Sequence, residues 1–518
     1  MTAAGAPAPA RPLRAGRVRP VLPGRLLRLE LRRNAMLWML PLLGALFWFG
    51  IYRPSMAVPP LWNLRGAMMQ QALLGFAPLV AGVAAWMGSR DGRRGIIDLV
   101  RVTARPRWAG QLATWAATTC WAIVAYLGCV AVVYGITARQ ATGGGALWWP
   151  VAVGVVGVAA SCALGFAVGA LFPSRFSAPL VAVAVFLALG AGAIAIEHNN
   201  TYAQIWPLDV QGALPPDSFG VFYPYFPDLA IAQMLFLAGL VAAALAALGL
   251  PAAAGGRWLR CAAAAAAAAG LLAAGTGVRL AGTSRLEAQG VVIPALHDAA
   301  SDKPIAYTPV CNRAAVPVCL HPAYRSFLPA VTAALGPVLS EVAGLPGAPA
   351  RVSQVAITRV QQRGSNGVEI EINGQPISGS PPVFHLFLTD PLPGEGHTTT
   401  AGFIDQLRRR VWVMILDTLI GGGRQGEERP PVGQVQPGKQ ESAQRPTQGL
   451  LAQQAIEAGL AKAAGVPPGP EVPALAPGSP SDAAAKRFAA LPAAARHAWL
   501  VAHLTALRAG RIALSELP

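Results

Sequence analysis

Charge is scarce in this chain of 518 residues: 13% are Asp, Glu, Lys or Arg, while 54% are hydrophobic. A soluble globular protein carries roughly 25% charged residues, so the shortfall excludes a chain that faces water throughout. Lysine is nearly absent, occurring only at Lys303, Lys439, Lys462 and Lys486, so arginine supplies almost all of the excess behind a net charge of +17. Together with abundant Ala, Gly and Pro this reflects the coding bias of a GC-rich bacterial genome, not chemistry. Also missing is a G-x-x-x-x-G-K-[ST] loop to cradle nucleotide phosphates. The nearest string, Pro437-Gly438-Lys439-Gln440, lacks the first glycine and the hydroxyl. No H-E-x-x-H places two imidazoles and a general base on one helical face for zinc. The seven histidines are scattered, and the spacing of His497 and His503 puts them on different faces of a helix. No acidic residue sits in the middle of a long apolar run, which argues against a proton- or sodium-coupled pump. Glu197, His198 and Asp228 fall at the ends of such runs and read as interface residues. The chain is therefore expected to be no enzyme, with no catalytic residue, no metal site and no cofactor of its own.

What is present is a series of long apolar runs crowded into residues 35–282. They cover about 35–52, 70–88, 109–136, 148–172, 177–196, 228–250 and 258–281, each near the roughly 20 residues that cross a hydrocarbon core. The fold class is mainly α: a polytopic transmembrane helix bundle of about seven spans. Trp38, Trp48 and Tyr52 lie near the ends of the first run, as interfacial aromatics do. Gly and Ala inside the runs let helices approach closely. The stretch Cys261–Ala269 in the seventh run is alanine-rich and only weakly hydrophobic. Cys120, Cys129, Cys162 and Cys261 lie in or beside spans and read as small packing residues.

Arginine placement sets the expected orientation. Residues 11–33 are arginine-rich, as is the loop after the second run, with Arg90, Arg93, Arg94, Arg101, Arg105 and Arg107. Arg175 follows the fourth run, and Arg257 and Arg260 follow the sixth; the opposite loops hold only Arg53, Arg65 and Arg139. The positive-inside rule then places the N-terminus in the cytoplasm of a plasma-membrane protein. An odd number of spans puts residues 283–518 outside. A basic chain can also bind nucleic acid, but arginines distributed between apolar runs follow membrane topology, and no nucleic-acid partner is expected. Residues 1–23 lack an apolar core followed by a small-residue cleavage site, so the first span is expected to act as a signal anchor.

The rest divides by composition into an arm and connector at 1–34, the bundle at 35–282 and a small extracytoplasmic α+β domain at 283–421. A flexible linker at 422–448 and a helical C-terminal region at 449–518 follow. Within the α+β domain, Val352–Val360, Val368–Ile372 and Val383–Leu388 are β-prone, while Pro329–Val342 and Ile404–Ile420 read as helices. The linker is Gly/Pro/Gln-rich. Two helix-like stretches, about 449–464 and 482–509, follow it. Cys311 and Cys319 are spaced for a short disulfide-closed loop, stable in an oxidising compartment; the alternative is a pair of free thiols.

Two cytoplasmic segments stand out. In Gly24–Arg33, Arg25, Arg28 and Arg32 share a helical face, with Leu27 and Leu31 opposite. That pattern suits a helix lying in the headgroup layer, or equally a positive flank of the first span. In the loop Ser89–Trp108, residues Gly95–Thr103 can form a short helix with Ile96, Leu99, Val100 and Thr103 along one side. Such a helix is a handle for a soluble partner; the plainer alternative is a loop that only anchors headgroups.

The first 250 residues resemble the type II permeases of ABC exporters. Those permeases begin with a cytoplasmic connector helix, like Arg25–Arg33 here. Their loop between the second and third spans carries a glycine, an acid three residues later, then a leucine and a further hydroxyl residue, as do Gly95, Asp98, Leu99 and Thr103. The family's acid is usually glutamate, and its following proline comes sooner than Pro106. The resemblance implies a coupling helix of Gly95, Asp98, Leu99, Arg101 and Thr103 that docks on a separate ATPase subunit. ATP and Mg would be bound by that partner. It also implies a second permease copy or paralogue, with the substrate path between two bundles. The whole chain resembles large actinobacterial permeases with a soluble tail, on Cys311–Pro322 and Ala498–Arg511. In related architectures the tail is similar to a metallopeptidase domain; the zinc motif is missing here and no activity is expected. The expected function is the membrane subunit of an exporter. The rival is a membrane anchor or sensor that presents the outer domain without transport.

Overall fold

The computed structural model describes residues 23–53, 56, 60–94, 107–197, 201–208, 221–250, 256–287, 290–355, 358–364, 367–373, 377–386, 388, 400–420, 448–467 and 475–518. Seven helices among them are long and apolar enough to cross a membrane: span 1 (Ala35–Tyr52), span 2 (Trp62–Gly88), span 3 (Trp108–Gln140), span 4 (Trp148–Leu171), span 5 (Ser177–Ile196), span 6 (Asp228–Ala247) and span 7 (Arg260–Gly282). The chain is mainly helical and a multi-pass membrane protein. Span 2 starts earlier than its apolar run, at Trp62, and so takes in Arg65. Its first ten residues, WNLRGAMMQQ, are barely hydrophobic on average, yet Asn63, Arg65, Gly66, Ala67, Met69 and Gln70 are buried among other helices. Burial against protein does not require the hydrophobicity that exposure to lipid does.

Glycine sets how closely the spans meet. A Cβ at Gly165 or Gly169 of span 4 would collide with the carbonyl oxygens of Ala81 and Ala85 in span 2. Spans 6 and 7 meet in the same manner: a Cβ at Gly239 would lie 2.5 Å from the Gly270 carbonyl oxygen. Hydrocarbon supplies no hydrophobic drive between helices, so such backbone approach is what holds them. The alanine-rich seventh helix is thus fixed by close packing on span 6.

Beyond span 7, a hairpin of β1 (Arg285–Glu287) and β2 (Gly290–Val292) leads into a five-stranded mixed sheet. Its order is β3 (Val310–Cys311), β4 (Val318–Leu320), β5 (Arg351–Gln354), β9 (Val383–Leu386) and β8 (Ile377–Ser378). The three central strands are parallel, and helix Leu328–Val342 makes the crossover that a parallel β4–β5 pair needs. The expected strand Val352–Val360 is divided between β5 and β6 (Thr358–Gly364); β6 pairs with β7 (Gly367–Asn373) as a separate hairpin. Cys311 and Cys319 face each other across β3 and β4 and are joined by a disulfide.

The tail has one core, not two. Helices Thr400–Leu419, Gln448–Ala463, Pro480–Ala490 and Ala493–Arg508 share a continuous apolar cluster with the sheet, centred on fully buried Trp412. The division between 283–421 and 449–518 expected from the linker is therefore not a division of cores. Residues 422–447 themselves lie outside the described residues. The expected single helix at 482–509 breaks at Leu491-Pro492, because proline cannot donate to the preceding turn. Arg496 spans the break. Its guanidinium donates to the Ala489 and Leu491 carbonyls and pairs with Glu341 of the crossover helix at 2.6 Å.

This domain sits on the loops that join spans 1–2, 3–4 and 5–6. Leu61 and Phe222 belong to its core. Thr142 donates to the Pro322 carbonyl at 2.7 Å, and Ile305 N–H to the Phe222 carbonyl at 2.7 Å. Asp228, at the start of span 6 and buried, accepts from Ile293 N–H at 3.0 Å and lies 3.3 Å from His297 Nδ1; His297 Nε2 meets Asp302 at 3.0 Å. Three successive loops on one face all touch the tail, so the seven helices alternate in direction. The tail lies opposite the arginine-rich face.

His321 is the pH-sensitive part of this junction. Its Nδ1 accepts from Ala323 N–H at 3.2 Å, capping a short 3-10 turn, and its ring packs on Phe222 and Tyr307. Burial pushes its pKa down to about 4. A depressed value means that the neutral ring contributes stability above the unfolded value near 6.5, which is lost as pH falls towards 4. Hydrogen exchange at residues 318–327, corrected for intrinsic rates, is expected to lose protection between pH 6.5 and 4.5. His321→Asn, which caps without titrating, should hold its protection; parallel loss in both proteins would contradict this role.

Candidate functional site

The residues at the arginine-rich ends of spans 1, 2 and 3 form a connected clamp. The N-terminal helix Pro23–Arg33 exposes Arg25, Arg28 and Arg32 and turns Leu27 and Leu31 inwards. Its amphipathic pattern explains this: the leucines cover the feet of the bundle and the guanidinium groups remain free for headgroups or a partner. Glu30, on the inner side, receives both terminal nitrogens of Arg90 at 3.1 and 3.2 Å. A two-pronged guanidinium–carboxylate bond fixes direction as well as distance. Burial alone would lower the Arg90 pKa, but the bonds to Glu30, with Asp91 beside them, hold it above the ordinary value.

The joint between this helix and span 1 is locked by Asn34, which is fully buried. Its Oδ1 accepts from Met36 N–H at 3.0 Å, and its Nδ2 donates to Thr118 of span 3 at 2.9 Å. Asn is a strong helix N-cap because its short side chain satisfies an orphan N–H. Trp121 of span 3 adds a bond from its indole N–H to the Leu31 carbonyl at 2.9 Å. At the foot of span 2, Arg93 lies 3.4 Å over the Trp86 ring and donates to Ser89 and to the Trp86 carbonyl. Burial, with Arg94 next to it, lowers its pKa. The helix is thus tied to spans 1, 2 and 3 at once, and a displacement of it must move their ends.

The expected coupling residues Gly95, Asp98, Leu99, Arg101 and Thr103 lie outside the described residues. The clamp ends at Arg94, so the structure brings the connector arginines Arg25, Arg28 and Arg32 to the same face of the bundle as the beginning of that loop. It does not bring them into contact with Arg90 or Arg93: the contact runs through Glu30. Sequence reading missed Glu30, Asn34 and Arg90 as partners. Asn34 was detectable as a cap residue directly before an apolar run. The Glu30–Arg90 pairing carries no local signal, because the residues are separated by a whole membrane crossing and return.

Inside the bundle, polar side chains are few, and several bond to one another. Gln70 of span 2 donates to Gln233 of span 6 at 3.1 Å, and Gln233 donates to the Gln204 and Trp206 carbonyls. Ser284 donates to Gln204 Oε1 at 2.7 Å. Arg65 donates to Thr137 of span 3 at 3.0 Å while its Nε finds no hydrogen-bond partner. Asp228 is a fastener between span 6 and the tail, and His198 lies outside the described residues. Among the described residues no group of His, Cys, Asp and Glu is arranged to hold a metal ion. Comparison with protein-family models, curated proteins and solved structures finds no match for this chain.

Cutting the clamp should free the N-terminal helix. Arg90→Gln strands the Glu30 carboxylate, and Asn34→Ala removes a cap that is typically about 1 kcal/mol. Either change is expected to speed tryptic cleavage at Arg32 and Arg33, and Glu30→Gln combined with Arg90→Gln should cost less than the sum of the two. Cleavage rates equal to the native protein's would refute the clamp.

Proposed function

We propose that this chain is the membrane-spanning permease subunit of an ABC exporter in the plasma membrane, with its arginine-rich face in the cytoplasm. The observation that carries the proposal is the clamp: an amphipathic helix bolted to the feet of spans 1, 2 and 3, where the chain enters the loop whose residues resemble a coupling helix. A partner ATPase dimer that closes on ATP would press on that loop and on the exposed face of Arg25, Arg28 and Arg32. The clamp would carry the displacement into the bundle and shift it between inward- and outward-facing packings. The chain itself would do no chemistry; ATP and Mg would sit on the partner. The resemblance supplies the second permease copy, and the substrate path between two bundles. The scarcity of charge inside the helices favours lipid-like or amphipathic cargo.

One observation favours a different reading. The outer domain draws Leu61 and Phe222 from the bundle's loops into its own core, as an anchor built to present that domain would. The two readings differ on the loop at 92–105. An anchor tolerates scrambling of those residues at constant charge, whereas a coupling helix does not.

Affinity purification in mild detergent tests the proposal. A stoichiometric ATPase with a phosphate-binding loop should accompany the native protein and be lost from Leu99→Asp, which should remain inserted and monodisperse. Reproducible absence of any ATPase from intact protein would sink the exporter reading in favour of the anchor.

A further inference from the structure

Spans 5 and 6 both pack on span 4 but hardly on each other. Between them lies a cavity of about 180 Å³. Its floor is Gly157, Ser161 and Leu164 of span 4, its sides Ala188 of span 5 and Leu240 of span 6, and its outer end is covered by Trp206. Leu164 is 37% exposed in the gap, so the cavity opens sideways towards lipid. No charged side chain lines it, and the Ser161 hydroxyl is already bonded to the Gly157 carbonyl at 2.8 Å. The lining is therefore almost wholly apolar, with the Ser161 oxygen its one side-chain hydroxyl.

Access from water on the tail face is closed. Gln70 and Gln233 lie one helical turn outwards of lining residues Leu73 and Leu237, and their amides bond to each other and to the Trp206 carbonyl. Both are essentially fully buried. The lateral gap, where Leu164 is exposed, gives a guest from the bilayer a way in. A helix about 10 Å across is too wide for the space, whereas apolar cavities near 150 Å³ stay dry and accept small hydrocarbon guests.

We propose that this cavity binds a single hydrocarbon chain of a membrane lipid, drawn in sideways between spans 5 and 6. The site is inside one bundle and does not depend on the chain being an exporter subunit. A filled cavity regains dispersion contacts that an empty one forfeits, and it joins two spans that otherwise barely touch. Lipid occupancy would thus tie span 5 to span 6.

The test uses the full chain in nanodiscs containing phosphatidylglycerol with a diazirine at mid-chain. After illumination, labelled peptides should contain Leu164, Phe236 or Leu240. Ala188→Trp, at an exposed position on the rim, should lose most of that label, as should Leu164→Trp, which fills the floor. Leu187→Trp, on the outward face of span 5, should keep it. Two blocking variants guard against one failing to fold, and monodispersity in detergent identifies such a failure. Labelling at Leu164 and Leu240 that survives both blocking changes, or label confined to outward residues such as Leu180 and Leu187, would overturn the site.

Discussion

Hydrocarbon offers no partner to a polar group, and that constraint organises the whole chain. Helices satisfy their own backbones, so seven of them can cross; much of the side-chain polarity inside is matched in pairs. Gln70 meets Gln233, Asn34 meets Thr118 and Thr137 meets Arg65. With so little side-chain bonding available, the spans are held by glycine-mediated contact, as at Gly165 against Ala81 and Gly239 against Gly270. Tight contacts of this kind have few intermediate arrangements. Pro41 and Pro78 inside spans 1 and 2, and the π-helical turn Trp48–Tyr52, are the places where those spans can bend.

The same constraint forces polarity to the two ends, and the ends have different characters. On the arginine-rich face, the clamp through Glu30, Asn34 and Arg90 joins a surface helix to three spans. On the other face, Asp228, Phe222 and Thr142 fasten the loops to one domain with a continuous core. An odd number of crossings separates the two. Any signal between the faces must pass along the spans, and span 2 is the most direct of them: it carries Arg90 just past one end, contributes Gln70 to the amide network, and follows Leu61, which is buried in the tail domain. Arg65 lies in its first turn on the tail side, buried, with an unsatisfied Nε.

Much of the bundle was legible in the sequence because lipid exposure demands uninterrupted apolar runs, and the ends of most spans fall where those runs end. Residues 62–71 were not, since their surroundings are protein and their composition is mixed. Helix Leu328–Val342 and strand Val383–Leu386 were also visible from local pattern. The joining of the tail into one core was hidden behind a linker: contacts such as Arg496 to Glu341 link residues far apart in sequence, and composition cannot report them. The break at Pro492 could have been read from the proline itself. Of the expected site, the alternation of Arg25, Arg28 and Arg32 with Leu27 and Leu31 matches the exposure seen. The ionic and capping partners that tie that helix to the bundle are long-range and had no periodic signature.

The central claim is that the arginine-rich clamp and the tail domain lie on opposite sides of the membrane, with the tail outside. Thiol labelling in intact cells addresses it directly. After mild reduction, a membrane-impermeant maleimide should modify Cys311 and Cys319, giving a signal that disappears when both are changed to serine. If only a permeant maleimide reaches them, the tail is cytoplasmic, and the assignment of the clamp to an ATPase-facing surface fails with it.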